Sequence, residues 1–502
     1  MTRPIRKLLV ANRSEIACRI AQTAREAGIA TVAVYSEPDT DGEHVRACDE
    51  AVALGGRTSA ESYLDQDKIL AAARTSGADA IHPGYGFLAE NSGFARRAEQ
   101  AGLVFVGPTP EAIEAMGDKI RAREAAQKAG VPVLPSAPVT GDAAKDRAAA
   151  EKLGFPVLVK AAAGGGGRGM RRVDDSASLV DAIRSAEREA GSAFGDARVY
   201  IEKFVVGPRH IEIQVFGDSH GRVLHLGERE CSVQRRHQKI IEEAPSPVVD
   251  AALREKMGSA AAGLAASIGY RGAGTVEFVT APDGRFYFLE VNTRLQVEHA
   301  VTEALTSTDL VRWQLEIAAG GRLPERAPSP RGHAIECRVC AEDPANGFLP
   351  SLGLVRRVEH PRGVGVRVDT ALRDGWRVPV EYDSMLAKVI TWAPDRTQAT
   401  RRMIEALEGF PIVGFTTNVA FLIELLRSER FAQAQFFTTT IDGEYRDWKP
   451  DDAASFDAVA AAVALLVRSG ATRSSAATTA DGAASIPSPW ETLGAWRVGG
   501  GS

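Results

Sequence analysis

Cysteine is scarce in this sequence, and an odd, scattered five in 502 residues offers no disulfide framework. Cys337 and Cys340 form a CxxC, but no second pair accompanies them. The stretch Cys337-Arg338-Val339-Cys340 alternates like a strand, so the spacing reads as coincidence and not as a zinc site. Long apolar runs are also missing. Leu8 to Ala11 is too short for a signal-peptide core, and Ala458 to Val467 is too short to span a bilayer. A cytoplasmic address with no membrane partner is the expectation. Positive charge is not in excess either: 60 Lys+Arg stand against 65 Asp+Glu, a net charge of −5, the wrong sign for bulk affinity to nucleic acid. Any basic cluster is therefore read as a local anion site. The remainder, 44% hydrophobic and 25% charged, is an ordinary globular composition. At roughly 150 residues per domain the length predicts about three domains.

Periodicity divides the chain. Leu8-Leu9-Val10 and Thr31 to Val34 read as buried strands, and Ile16, Ala17, Ile20, Ala21 and Ala24 recur at helical spacing between them. Ala78 to Ile81 and Leu103 to Val106 add further strands, so the first hundred residues predict a parallel α/β unit. Its first strand-to-helix turn, Ala11-Asn12-Arg13-Ser14-Glu15, holds no glycine where a dinucleotide fold carries GxGxxG, which argues against a nicotinamide or flavin enzyme. Gly117 to about Gly320 has the short strands, glycine-rich connections and helices of an α+β domain. Gly332 to Ile390 is strand-rich, and Arg396 to Leu426 mostly helical. Phe456 to Arg468 reads as a helix and Ser469 to Pro489 as linker, before Trp490 and Trp496 break the composition.

Three stretches carry chemistry. After the strand Pro156 to Lys160 comes the run Gly164-Gly165-Gly166-Gly167-Arg168-Gly169, whose backbone N–H groups could turn toward a phosphate. Because Met170 to Val173 is again strand-like, the loop should close a hairpin and act as a mobile phosphate lid. Next, Gly274 to Val279 and Arg285 to Asn292 flank Asp283-Gly284, a two-residue turn signal. Pairing Pro282 with Arg285 places Glu277 opposite Glu290, with Phe286 and Phe288 expected on the face of Glu290. Facing like charges destabilise a sheet unless a cation lies between them, and two carboxylates with Asn292 suit Mg²⁺. Lastly, Arg229, Arg235, Arg236, His237 and Lys239 are interleaved with Glu228, Glu230, Glu242 and Glu243. Such a run is ordinarily a solvated face. Here Arg294, Gln296, Glu298 and His299 follow the carboxylate hairpin at once, so two polar clusters are expected to converge on a small oxyanion, with a Glu as base.

Long motifs extend these readings: His82-Pro83-Gly84-Tyr85-Gly86-Phe87, Met116-Gly117-Asp118-Lys119, Glu202-Lys203 and Pro208-Arg209-His210-Ile211-Glu212. Further on come Gln234-Arg235-Arg236-His237-Gln238-Lys239, Asn292 to His299, Glu336-Cys337-Arg338 and Tyr382-Asp383-Ser384-Met385. Across roughly residues 5–447 the sequence closely resembles the biotin carboxylase component of biotin-dependent carboxylases, an ATP-grasp fold. The resemblance implies a mixed α/β and α+β chain. Residues 1–115 would be an N-terminal parallel α/β domain, 116–331 the ATP-grasp domain with a mobile glycine-rich lid at about 131–204, and 332–447 a mixed C-terminal domain. A helix and flexible linker would fill 448–489, with 490–502 the start of a further domain or the chain's end.

Residue by residue, the resemblance implies ATP contacts from Lys119, Lys160, Gly165, Gly166, Gly167, Glu202, Lys203, Val205, His210, Gln234 and His237. Glu277, Glu290 and Asn292 would hold Mg²⁺ or Mn²⁺. Lys239, Arg294, Gln296 and Val297 would bind bicarbonate with Glu298 as base, while Arg338 and Tyr85 would meet the biotin ring. Four positions depart from the family pattern: Ser14 and Ala163 stand for glycines, Ala300 for a proline, and Cys340 for an Asn or Tyr. None of the six Met lies in an Ala-Met-Lys-Met setting, so biotin is expected on a separate carrier domain or chain. A carboxyltransferase subunit and a homodimer or larger complex complete the implied partners. An acyl-CoA is the favoured final acceptor. Pyruvate- or urea-type carboxylases, another ATP-grasp ligase and a non-catalytic scaffold are the competing readings.

Overall fold

The computed structural model describes residues 3–163 and 170–450. The glycine run Gly164 to Gly169, the helix expected over Phe456 to Arg468, the linker Ser469 to Pro489, and Trp490 and Trp496 lie outside the described residues.

The first hundred residues form a five-stranded parallel sheet, ordered Glu50–Ala53, Ala30–Tyr35, Lys7–Val10, Ala80–His82, Val104–Phe105. The helix Ser14–Glu26 buries Ile16, Ala17, Ile20, Ala21 and Ala24, the residues recurring at helical spacing. Chain direction diverges on either side of Lys7–Val10, and a crevice opens beyond the carboxyl ends of strands at such a point. The turns after Val10 and His82 carry Asn12 to Glu15 and Pro83 to Phe87 there. Asn12 Nδ2 ties the two turns together, donating to the Pro83 and Tyr85 carbonyls at 2.7 Å. Ser14 sits at φ +58°, a left-handed conformation in which glycine is at ease and serine is strained. That geometry accounts for glycine at this place in the family pattern.

An antiparallel sheet of eight strands forms the body: Phe286–Asn292, Gly272–Thr280, Arg209–Gly217, Val223–Arg235, Gln238–Ala244, His333–Cys340, Met385–Ala393, Val366–Thr370. It continues unbroken through the sequence position near 331 where the resemblance changes domain, because Gln238–Ala244 pairs directly with His333–Cys340. Phe278, Phe286 and Phe288 pack beneath it with Met116, Met257 and Leu264 from the helices Pro110–Gly117 and Ala251–Ser267. A separate four-stranded sheet, ordered Ser136–Pro138, Val199–Lys203, Val157–Ala161, Arg171–Val173, occupies the expected lid segment. Val157 pairs with Val173 and Val159 with Arg171, so the glycine run connects the two strands of a hairpin.

The carboxylate hairpin corrects two expectations. Ala281, not Pro282, pairs with Arg285, and the Gly284 N–H donates to the Ala281 carbonyl. The loop is thus Pro282-Asp283-Gly284, a turn with Pro at its second position and Gly284 left-handed at φ +80°. This register would set Glu290 off from Glu277, but a bulge between Phe288 and Glu290 restores the Glu277–Glu290 pair. The same bulge changes the face: Phe286 and Phe288 point into the core, while Leu289 and Glu290 line a cleft on the other side. Phe278, fully buried and edge-on to Phe286 with ring centroids 5.3 Å apart, anchors this hairpin. Phe278→Ala is expected to destabilise the fold by about 3–5 kcal/mol, read as a lowered urea midpoint. An unchanged midpoint would contradict this packing.

Candidate functional site

A cleft of about 740 Å³ runs between the parallel sheet, the four-stranded sheet and the exposed face of the eight-stranded sheet. It is lined by Tyr85, Lys119, Lys160, Glu202, Lys203, Val205, His210, Gln234, His237, Lys239, Glu277, Glu290, Asn292, Arg294, Gln296, Val297 and Arg338. Glu298 lies just beneath its floor, fully buried. Of the expected site residues, Gly165, Gly166 and Gly167 alone are outside the described residues.

At one end, Lys160 is 2% exposed and bonded to Glu202 at 2.9 Å, a carboxylate that Arg123 also meets at 3.1 Å. Burial opposes the Lys160 charge, yet Glu202 holds the ammonium above its ordinary value. Lys203 reaches away, donating to the Gly154 carbonyl at 2.6 Å. His237 and Arg236 form the two-residue turn between Val223–Arg235 and Gln238–Ala244, at φ +67° and +47°. Side chains other than Gly and Asn seldom take both places of such a turn. Burial lowers the His237 imidazole, so it is neutral at pH 7.

In the middle, Glu277 and Glu290 face each other and each meets a cation. Lys119 Nζ is 2.9 Å from Glu290, and Lys239 Nζ is 2.9 Å from Glu277. Asn292 donates to Glu277 at 2.9 Å, and His210 Nε2 lies 3.0 Å from the same carboxylate. The ligand-type atoms that draw within 4.8 Å of one another, among the described residues, belong to His210, Glu212 and Glu277 in one group and Glu212, Cys231 and Glu298 in another. Both groups surround Lys239. This ammonium bonds Glu212 at 2.5 Å and Glu298 at 2.6 Å besides Glu277, and burial is overruled by these carboxylates, which hold it well above its usual value.

At the far end, Arg294 donates to Glu90, Asn292 and Gln296 at 2.9, 3.0 and 3.2 Å. Arg338 meets Glu298 at 2.9 Å and Glu242 at 2.6 Å. Burial would raise the Glu298 carboxyl, but Lys239, Arg338 and Arg229 overcome it and keep the group ionised, well below the usual range. The Tyr85 hydroxyl donates to buried Glu15. One end can therefore take polyphosphate and a hard cation. The other offers guanidiniums for a small planar oxyanion beside an ionised carboxylate.

The charge run is a solvated face only at its turn, where Arg236 and His237 are exposed. Glu228, Glu230, Glu242 and Glu243 are all buried, and Lys239 reaches the Glu298 cluster directly. Sequence reasoning missed the foundation below: fully buried Arg229 pairs with Glu212 at 2.5 Å and bonds Gln214, Thr275 and Thr302. Its signal was the cross-strand register Glu212–Arg229, an opposite-charge pair visible only once the strands are aligned.

Comparison with known proteins agrees with this arrangement. Residues 4–113 match the family model "Biotin carboxylase, N-terminal domain", 118–326 match "Carbamoyl-phosphate synthase L chain, ATP binding domain", and 336–443 match "Biotin carboxylase C-terminal domain". The chain belongs to the biotin carboxylase family. A biotin carboxylase of Nostoc sp. is 49% identical over 438 residues, 87% of this chain and 98% of that protein. A mitochondrial methylcrotonoyl-CoA carboxylase subunit alpha of Dictyostelium discoideum is 45% identical over 501 residues, 99% of this chain and 71% of that protein. Among solved structures, the biotin carboxylase domain dimer of Hydrogenobacter thermophilus 2-oxoglutarate carboxylase, in complex with MgADP, ADP and bicarbonate, superposes with a TM-score of 0.86. It is 44% identical, over 89% of this chain and 100% of that one. The family's activity, ATP-dependent carboxylation of biotin, is the activity of this chain.

Removing the shared cation tests this electrostatic reading. Lys239→Met is expected to destabilise the protein by roughly 3–5 kcal/mol at neutral pH, since it uncovers buried charge. Glu277 and Glu298 have depressed folded values, so the stability they bring is full above the unfolded carboxylate pKa and is lost as pH falls through the folded values. The gap between wild type and variant should therefore close as pH drops below about 4. Thermal melts across pH check this, and a gap independent of pH would contradict it.

Proposed function

We propose that the cleft binds ATP through Lys119, Lys160, Glu202, Lys203, Val205, His210, Gln234, His237 and the loop glycines Gly165, Gly166 and Gly167. Glu277, Glu290 and Asn292 would hold Mg²⁺: the donors are oxygens, and the two carboxylates already face each other with cations at hand. When bound, Mg²⁺ supplies charge neutralisation at the phosphates. Lys239, Arg294, Gln296 and Val297 seat bicarbonate, and Glu298 takes its proton as its oxygen attacks the γ-phosphorus and ADP leaves. The product, carboxyphosphate, releases CO₂ and phosphate beside biotin. Arg338 faces the ureido oxygen where negative charge develops, with Tyr85 near the ring; N1 gives its proton to the released phosphate and bonds the carbon of CO₂. The chain's own contribution is placement and fixed charge.

The observation that carries this reading is Glu298 held ionised between Lys239 and Arg338, next to the Glu277–Glu290 pair. An anion that draws on the same cations leaves Glu298 less neutralised and raises its proton affinity, which suits a base that acts only with substrate in place. Biotin arrives on a carrier domain or chain and leaves toward a carboxyltransferase partner, with this chain in a homodimer or larger complex. An acyl-CoA is the proposed acceptor, supported by the subunit alpha relative being alignable over 99% of this chain. The cytoplasm is the proposed compartment; among the described residues no helix is long and apolar enough to cross a membrane.

Two substitutions separate the ends of the cleft. Glu290→Gln is expected to preserve folding while abolishing Mg²⁺-dependent ATP turnover, because an amide cannot offset metal charge. Wild-type turnover would remove Glu290 from the metal site. Arg338→Ala is expected to reduce biotin carboxylation by about a hundredfold while leaving ATP affinity close to wild type. Equal loss of nucleotide affinity would place Arg338 elsewhere.

A further inference from the structure

Arg338 is held by two carboxylates, and they hold it differently. Its Nε and Nη2 both reach one oxygen of Glu242, Oε1, at 2.6 and 2.5 Å, while Nη2 also touches Glu298 Oε2 at 2.9 Å. The other Glu242 oxygen, Oε2, is buried without a hydrogen-bond partner among the described residues. Directly across the strand pair from Glu242 stands Glu336, fully buried, and neither of its oxygens has a partner there either. Facing carboxylates in a dry interior cannot both remain ionised. Burial raises both, Glu242 to about 7 and Glu336 well above the ordinary range, with Lys388 and Arg338 opposing. Glu242 bonds a guanidinium and Glu336 bonds nothing, so of the two Glu242 is the one held closer to its ionised form and Glu336 the one held as the neutral acid.

We propose that Glu242 is a positioning residue for the biotin step: it competes with Glu298 for the Arg338 guanidinium, fixing one edge against the sheet while the rest faces the cleft. The inference rests on the reading of Arg338 and Glu298 given above. No other carboxylate among the described residues makes an ion pair with Arg338. The nearby cations are committed elsewhere: Lys239 to Glu212, Glu277 and Glu298, and Lys388 to the Val297 carbonyl at 2.9 Å, with Glu15 and Asp369 each at 3.5 Å. Removing the Glu242 charge hands Arg338 wholly to Glu298. That displaces the guanidinium from biotin and neutralises the base at the same time.

The test compares Glu242→Gln, Glu242→Asp and Glu336→Gln in the full chain, with bicarbonate-dependent ATP turnover measured against biotin and against ATP. Glu242→Gln is expected to lower kcat for biotin-dependent turnover and raise the biotin KM, together by about tenfold or more, with the ATP KM within about twofold. Glu336→Gln replaces a neutral acid by a neutral amide and should change each constant less than about threefold. Wild-type biotin kinetics in Glu242→Gln, or an equal loss in Glu336→Gln, would overturn the proposal. Should Glu242→Gln not fold, Glu242→Asp, which keeps the charge but draws it back from Arg338, must show the same split, and unselective or wild-type kinetics there overturns it. Arg338→Ala run in parallel keeps the two readings apart. If that variant shows no selective biotin loss, the assignment of Arg338 itself fails; if it does and Glu242→Gln does not, only the role of Glu242 fails.

Discussion

One ammonium group organises the cleft. Lys239 Nζ lies within 2.5 to 2.9 Å of carboxylates from three separate segments: Glu212 on a central strand, Glu277 on the hairpin, and Glu298 at the end of a loop. A buried carboxylate is tolerable only when paired, and these three draw on the same cation, so the segments that carry them must meet at a common point. Arg229 supports the arrangement from below by holding the other Glu212 oxygen. The position of the proposed base Glu298, of the facing Glu277–Glu290 pair and of the strand between them is thus one electrostatic solution and not three independent ones.

The local elements were legible where hydrophobic period and turn chemistry agreed. The parallel first sheet, the helix Ser14–Glu26 and the hairpin around the glycine run follow from apolar spacing alone. The Glu277–Glu290 pair was legible too, though by a route that the structure corrects. A three-residue loop shifts the register and a bulge shifts it back, so the pair survives while the faces change. A bulge leaves no mark in composition, and only the burial of Phe286 and Phe288 against the exposure of Glu290 to the cleft reveals it.

The charge run shows why the rest was hidden. In sequence, Glu228 to Glu243 has the composition of a solvated surface; in the fold, its acidic members are buried and find partners from other segments. Glu243 meets His333 and Arg396, Glu228 meets Arg254, and Glu242 meets Arg338. Pairings over such separations are properties of strand register, which the sequence does not spell out. The motif resemblance reached the cleft residues because it carries register implicitly. It did not single out Arg229 or Glu242, whose work is done through other side chains.

The continuity of the eight-stranded sheet gives the cleft a fixed internal scale. Glu277 and Arg338 stand on strands four places apart in one hydrogen-bonded sheet, a backbone separation of about 19 Å at the usual strand spacing. Lys160 and Glu202 belong to a different sheet and are not bound by that scale. Side chains tie the strands of Glu277 and Arg338 a second time, because Lys239 bonds Glu277 and Glu298, and Glu298 bonds Arg338. A shift of the smaller sheet would carry Lys160 and Glu202 with it while leaving the spacing of Glu277, Lys239, Glu298 and Arg338 untouched.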